Sequence, residues 1–331
     1  MGERPLNTPR RCDGIVADTA VILLNLGGPT TTDDVEPFLV NLFADVIRLP
    51  FGLPGGGLLG RFIARKRTEH AQSLYNQIGG ASPILELTNQ QAAALGAELG
   101  SGYDVLVAMR YSPPFIHEIK RKVARKGYSR VILCPLYPQY SFATTRTSFR
   151  AWKKGRPHLE AVCIRDYHRQ SDFIASWQGM IRATLSSAPN PDRAHLVFSA
   201  HSIPASYVRK GDSYQEEIEG SVASIMEGFP NPFSISYQSK VGPVKWLGPA
   251  TDKHVVKLAQ SGTTELALVP IAFVCEHLET LYELDILVRD MAVAAGATTY
   301  LRVPTPGTDA RFIAALKSEV LAAEAQGEPC A

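Results

Sequence analysis

The chain has 331 residues, 45% of them hydrophobic and 20% charged, with 34 basic against 32 acidic side chains and a formal net charge of +2. That balance supplies no basic stripe for a nucleic acid, and the length suffices for one large or two medium cores. The five cysteines (Cys12, Cys134, Cys163, Cys275 and Cys330) are scattered without a CxxC pair. Neither a zinc knuckle nor a disulfide framework is expected, and reduced thiols are.

Residues 1–18 are polar, carry Arg4, Arg10 and Arg11, and lack the apolar core of a secretion signal. No apolar run reaches the length of a membrane span, so a cytoplasmic protein is expected. The first apolar run, 20–24, reads as a strand leading into Gly27-Gly28-Pro29. That turn has no GxGxxG or P-loop spacing, so it suits close approach of a flat ligand better than a phosphate. Residues 47–63 are apolar but broken by Pro50, Pro54 and several glycines, which predicts neither a span nor a long regular helix. Two readings stay open there. One is a core-packing connection. The other is an apolar lip at a cleft mouth, edged by Arg48, Arg61, Arg65, Lys66 and Arg67, touching the inner face of the membrane weakly.

Further along, helical patterns at 88–99, 114–126 and 173–186 alternate with strand-like runs at 105–109, 131–134 and 161–165. After a Ser/Ala/Pro/Asn cluster at 187–192, strands are expected at 195–199, 233–236, 266–271 and 298–303, with helices at 214–227 and 308–324. Near-continuous apolar runs alternating with helices predict an α/β fold of two similar domains, each a parallel sheet flanked by helices. The expected division is 1–187 and 188–331, with the last helix packing back on the first domain.

Ligands of such sheets bind beyond the carboxyl ends of the strands. The loops there hold Arg110-Tyr111, Tyr137-Pro138-Gln139-Tyr140, His201-Ser202-Ile203-Pro204, Tyr237-Gln238-Ser239-Lys240 and Glu276-His277-Leu278-Glu279. His201 is placed just past its strand, where it is as compatible with a structural hydrogen-bonder as with a proton acceptor or iron ligand. If the following segment is helical, Glu276, Glu279 and Glu283 fall on one face, either a solvated acidic stripe or carboxylates that bind a cation and relay protons. Tyr75, Tyr111, Tyr137, Tyr140 and Trp246 could line a flat slot, and Lys66, Arg67 and Arg110 could meet ligand carboxylates.

Five stretches carry a resemblance. They are Leu23-Leu24-Asn25-Leu26-Gly27-Gly28-Pro29, Tyr137-Pro138-Gln139-Tyr140-Ser141, Ser199-Ala200-His201-Ser202-Ile203-Pro204, Tyr237-Gln238-Ser239-Lys240-Val241-Gly242-Pro243 and Glu279-Thr280-Leu281-Tyr282-Glu283-Leu284-Asp285. In their order and spread they resemble the ferrochelatase family. The resemblance implies two Rossmann-like, chelatase-type domains with a porphyrin in the cleft between them, and insertion of Fe2+ into protoporphyrin with release of two protons. It implies an iron site of His201 and Glu279, and Tyr75, Ser82, Arg110 and Tyr111 around the ring or its propionates. Coproporphyrin, another tetrapyrrole and metal, or a haem carrier without turnover stand as alternatives, and the carboxylate stripe speaks for turnover. The chain departs from the family's pattern at Glu276, where Asp is expected, and at Cys275, where Ser is common. Phe142 stands where members with an iron–sulfur cluster carry a cysteine, and the tail offers only Cys330. No cluster and no tightly bound cofactor are expected; iron is a substrate.

Overall fold

A computed structural model of the chain describes residues 17–51, 56–240, 242 and 244–327, without the side chains of 46–51 and 56. Two four-stranded parallel sheets form its framework. In the first, β1 (Thr19–Asn25), β2 (Tyr103–Met109), β3 (Arg130–Pro135) and β4 (Val162–Cys163) lie in the order β2-β1-β3-β4. In the second, β5 (His195–His201), β6 (Phe233–Gln238), β7 (Glu265–Val269) and β8 (Thr299–Arg302) lie in the matching order β6-β5-β7-β8. Every residue of β1 is buried, as expected of a central parallel strand covered by helices on both faces.

The helices of the first half are α1 (Val35–Phe51), α2 (Gly56–Asn76), α3 (Ile84–Leu99), α4 (Ile116–Lys126) and α5 (Thr145–Lys153). α6 (Ser171–Leu185), α7 (Ala205–Val208), α8 (Tyr214–Met226) and α9 (Thr251–Gln260) follow. A π-helix (Glu279–Val288) runs directly into α10 (Arg289–Ala294), and α11 (Ala310–Gln326) closes the chain. The five expected helical stretches appear as α3, α4, α6, α8 and α11. Residues 47–63 differ from expectation: they lie largely in α1 and α2, which pack against each other. Proline and glycine there break a helical pair at its joint rather than abolishing helix on either side.

The terminal helices knit the halves together. α6 precedes the second sheet yet packs on β7, β8 and α8, whereas α11 lies on α6, α3 and β3. Glu324 of α11 pairs with Arg130 at 2.6 Å and accepts from Thr19 Oγ1 at 3.2 Å. The buried Gln91 side chain of α3 donates to the Val274 carbonyl at 2.8 Å and the Gly307 carbonyl at 3.0 Å, crossing between halves. Tyr167, Phe173 and Phe312 fill the seam with mutually tilted rings. Cys134 and Cys275 are buried free thiols, each pushed up to about 12 mainly by burial and so inert. Cys163 is disulfide-bonded. This corrects the expectation of thiols throughout, because pairing follows tertiary approach and leaves no trace in spacing.

Candidate active site

Loops beyond the carboxyl ends of the two sheets meet: Asn25 at the end of β1 donates to Cys275 Sγ at 3.5 Å, and Leu278 packs against the cluster of Tyr75 and Tyr111. His201 is the last residue of β5, paired with Gln238 of β6, rather than standing past the strand. Its Nδ1 lies 2.7 Å from the Ser202 carbonyl, an acceptor only, so Nδ1 donates and Nε2 is left for another partner. The loop is held from several sides. Ser202 N donates to the Gln238 carbonyl at 2.8 Å, Ser202 Oγ to the Leu247 carbonyl at 3.2 Å, and Tyr214 Oη to the His201 carbonyl at 3.0 Å.

Across from it, Phe273 stands edge-on to His201 with ring centres 6.5 Å apart and contacts His277 at 4.4 Å. His277 Nδ1 donates to the Cys275 carbonyl at 3.1 Å, and its Nε2 lies 3.1 Å from Glu279 Oε2. Glu279 opens the π-helix. The wider i→i+5 turn brings Glu283, four residues on, back beside it. Gln238 ties these groups together: its Oε1 accepts from Ser199 Oγ at 2.7 Å and its Nε2 donates to the Glu279 carbonyl at 2.8 Å. Glu283 accepts from Gln238 Nε2 at 3.2 Å, from Ser239 N at 2.9 Å and from Ser239 Oγ. Ser239 supplies that backbone donor at φ +63°, a left-handed conformation uncommon outside glycine. Burial and the neighbouring charge of Glu279 push the Glu283 carboxyl above the ordinary glutamate range, against those hydrogen bonds and the charge of His201.

Residues 18–324 match the sequence profile of the ferrochelatase family. A ferrochelatase of Nostoc sp. is 41% identical over 315 residues, covering 91% of this chain and 81% of that protein. One of Aquifex aeolicus is 41% identical over 306 residues, covering 91% and 97%. The chain belongs to the ferrochelatase family. It is a metal chelatase of the lyase class. Among solved structures, SirB from Bacillus subtilis with Fe3+ superposes with TM-score 0.54 at 10% identity, over 94% of this chain and 98% of that one. CbiX, the terminal enzyme of siroheme biosynthesis in denitrifying bacteria, gives 0.52 at 13% identity, over 92% and 98%. At such identities they establish the two-sheet fold alone.

Within the ferrochelatase fold the sequence-predicted residues take different surroundings. Tyr75 of α2 is 5% exposed and feels the charge of Glu279, which with burial raises its phenol well above the usual range. Tyr111 shares its apolar cluster, and Leu278 of the second half packs against it. Arg110 lies 4.9 Å over the Tyr111 ring. Trp246 bridges to Pro204 beyond His201, and its indole N–H is buried with no partner among the described residues. Ser82 stands under the glycine turn instead: a Cβ at Gly28 would come within 2.7 Å of it. Gly27 has φ +88° and the Ser112 hydroxyl where a Cβ would lie. These glycines therefore serve close packing of the protein's own loops. Tyr137 is half-buried and feels the charge of Arg110, while Tyr140 and Ser141 tie the halves through Glu217 at 2.6 Å and Asp212 at 3.0 Å.

Glu276 departs from the expected stripe. It precedes the π-helix, and its Oε1 accepts from Arg302 Nη1 at 2.6 Å and from Thr305 N and Oγ1 at 3.0 Å. Burial opposes its ionisation, but Arg302, Thr280 and Thr305 outweigh this and hold the carboxyl below the ordinary range. Lys66 and Arg67 are exposed, stacked 4.6 Å over Phe62 and 5.6 Å over Phe43. Sequence reasoning assigned no role to Phe273, His277, Asp45 or Arg302. For His277 a signal existed in its placement two residues before Glu279; a lone Arg closing β8 and an Asp in an apolar helix gave none.

Proposed function

We propose that this chain inserts Fe2+ into protoporphyrin IX to give protohaem, with His201 and Glu279 meeting the metal and the reacting ring. The observation that carries the roles is the orientation of His201: Nδ1 is engaged by the Ser202 carbonyl, which leaves Nε2 to meet a ligand, and the charge of His201 reaches Glu283. A porphyrin must lose two pyrrole protons as iron enters. His201 Nε2 accepts one, and Glu279, paired with His277 and beside Glu283, takes charge and protons on its side. Glu283 continues the relay toward Ser239, whereas Glu276, engaged by Arg302, anchors the turn. Tyr75, Tyr111 and Trp246 present flat apolar surface to the ring. Repeated haem formation per chain from Fe2+ and protoporphyrin IX tests this reading; haem binding without turnover would contradict it.

No iron–sulfur cluster is part of the proposal. Phe142 occupies its position as a packed ring, 6.2 Å edge-on to Tyr140 and under Arg146 at 4.3 Å. Acid-labile sulfide in stoichiometric amount would overturn this.

Peripheral membrane contact is proposed for the start of α2. No described helix is long and apolar enough to cross a membrane. Leu58, Leu59 and Phe62 are nevertheless 73%, 53% and 56% exposed, with Arg61, Arg65 and Lys66 beside them. Apolar side chains and cations on one helix bind anionic bilayers reversibly. Leu53, Arg48 and the joint at 52–55 lie outside the described residues or side chains. The double variant Leu58→Ser/Leu59→Ser is expected to lose most co-sedimentation with anionic liposomes at an unchanged melting temperature. A large loss of melting temperature would instead place these leucines in the core.

A further inference from the structure

Arg110 is not a free cation. Asp45 Oδ2 accepts from Arg110 Nη2 at 2.6 Å and from Tyr111 Oη at 2.9 Å. The two side chains keep 22% and 25% of their surface exposed, so the pair is reached from solvent and not sealed in a core. Its surroundings are apolar: Val35, Phe38, Phe43, Tyr75 and Tyr111 form the adjoining cluster, against which Leu278 packs. Tyr75 in that cluster feels Glu279, and the charge of Asp45 reaches Tyr207 of the second half after burial and Asp212. Through Tyr111 the Asp45–Arg110 pair adjoins the cluster against which Leu278, the residue before Glu279, packs, so it stands beside the proposed iron site with its charges already matched. Exposed cations also stand on α2, at Arg61, Arg65 and Lys66.

An arriving ring edge meets opposite consequences here. A vinyl or methyl edge needs no partner and fits beside the neutral pair. A carboxylate edge would set a second anion next to Asp45 in a partly desolvated wall, where an unpaired charge and a like-charge contact both cost free energy. We propose that Asp45 is a specificity-determining residue: by neutralising Arg110 it makes this end of the slot accept the apolar edge of a dicarboxylate porphyrin and reject rings carrying carboxylates on both edges. This rests on the iron-insertion reading above and adds to it the choice between porphyrins.

The test uses the full chain with Fe2+ and two probes, protoporphyrin IX and coproporphyrin III. In Asp45→Asn the freed guanidinium gains a charge-assisted carboxylate partner, so kcat/KM for coproporphyrin relative to protoporphyrin is expected to rise about tenfold or more. Adding Arg110→Leu should reverse that gain. Asp45→Ser, which keeps an oxygen for Tyr111 and Arg110, makes the same prediction if the Asn variant folds poorly. On the wild-type protein alone, fluorescence titration with the metal-free rings should give a lower Kd for protoporphyrin. An unchanged or falling ratio in the variants, or equal Kd values in the wild type, overturns the proposal. A wild-type protein that metallates neither ring would contradict the iron-insertion reading instead, with the ring preference still read from the two Kd values.

Discussion

His201→Ala is expected to lower kcat for metallation by about 10²–10⁴-fold, the span that a positioned general base supplies, while leaving the fold intact. The side chain is half-buried, and its polar contact is with its own neighbour, the Ser202 carbonyl. The strand ladder to Gln238 uses backbone atoms that alanine retains. Far-ultraviolet circular dichroism and melting should be close to wild type while haem formation collapses. Near-normal turnover in the alanine variant would remove His201 from the chemistry. A collapse of both signals would show that its role is structural.

Arg302→Met is expected to destabilise the protein by about 3 kcal/mol, the lower end for breaking a buried ion pair by removing one partner. Arg302 is 15% exposed in its side chain and holds two carboxylates at once. Nη1 reaches Glu276 at 2.6 Å, while Nε and Nη2 grip Asp285 at 2.6 and 3.0 Å. Asp285 lies in the π-helix and Glu276 just before it, so the residues carrying His277 and Glu279 are strung between the two ends of this clamp. Loss of the cation leaves two half-buried anions and frees the π-helix to relax, so kcat should fall as well. Glu276 adds a pH signature. Its carboxyl titrates below the ordinary glutamate range, so the stability it contributes is present above that range and lost as pH falls through its folded value. Wild type should lose that increment as pH falls below the ordinary glutamate range, and Arg302→Met should lack it. Denaturant unfolding across pH 3–7 measures both. Equal stability of the variant and wild type would contradict the clamp.

The sheets were legible because strands such as β1 and β3 are built on near-continuous apolar runs, and a parallel strand under helices needs little else. Strand ends were less so. His201 reads as a loop residue because it is polar, yet it completes the β5 ladder, since backbone pairing with Gln238 does not depend on side-chain character. α1 and α2 were obscured by Pro50 and the glycines at their joint, where the composition argues against helix although both flanks are helical. The acidic segment misled in another way. Periodicity assumed an α-helix from Glu276 onward, whereas Arg302 and Thr305 draw Glu276 out of the stripe and the chain then winds as a π-helix. Such partners lie 26 and 29 positions away, and no local pattern announces them. Asp45 was invisible for the same reason. Its meaning comes only from Arg110 and Tyr111, 65 and 66 residues on.

The central claim is catalytic metallation, and anaerobic turnover with proton counting tests it most directly. Purified protein supplied with Fe2+ and excess protoporphyrin IX in a weakly buffered medium should form many haems per chain. Two protons should be released for each haem, with the initial rate proportional to enzyme concentration. Formation that stops at one haem per chain, or that proceeds no faster than in protein-free solution, would contradict it.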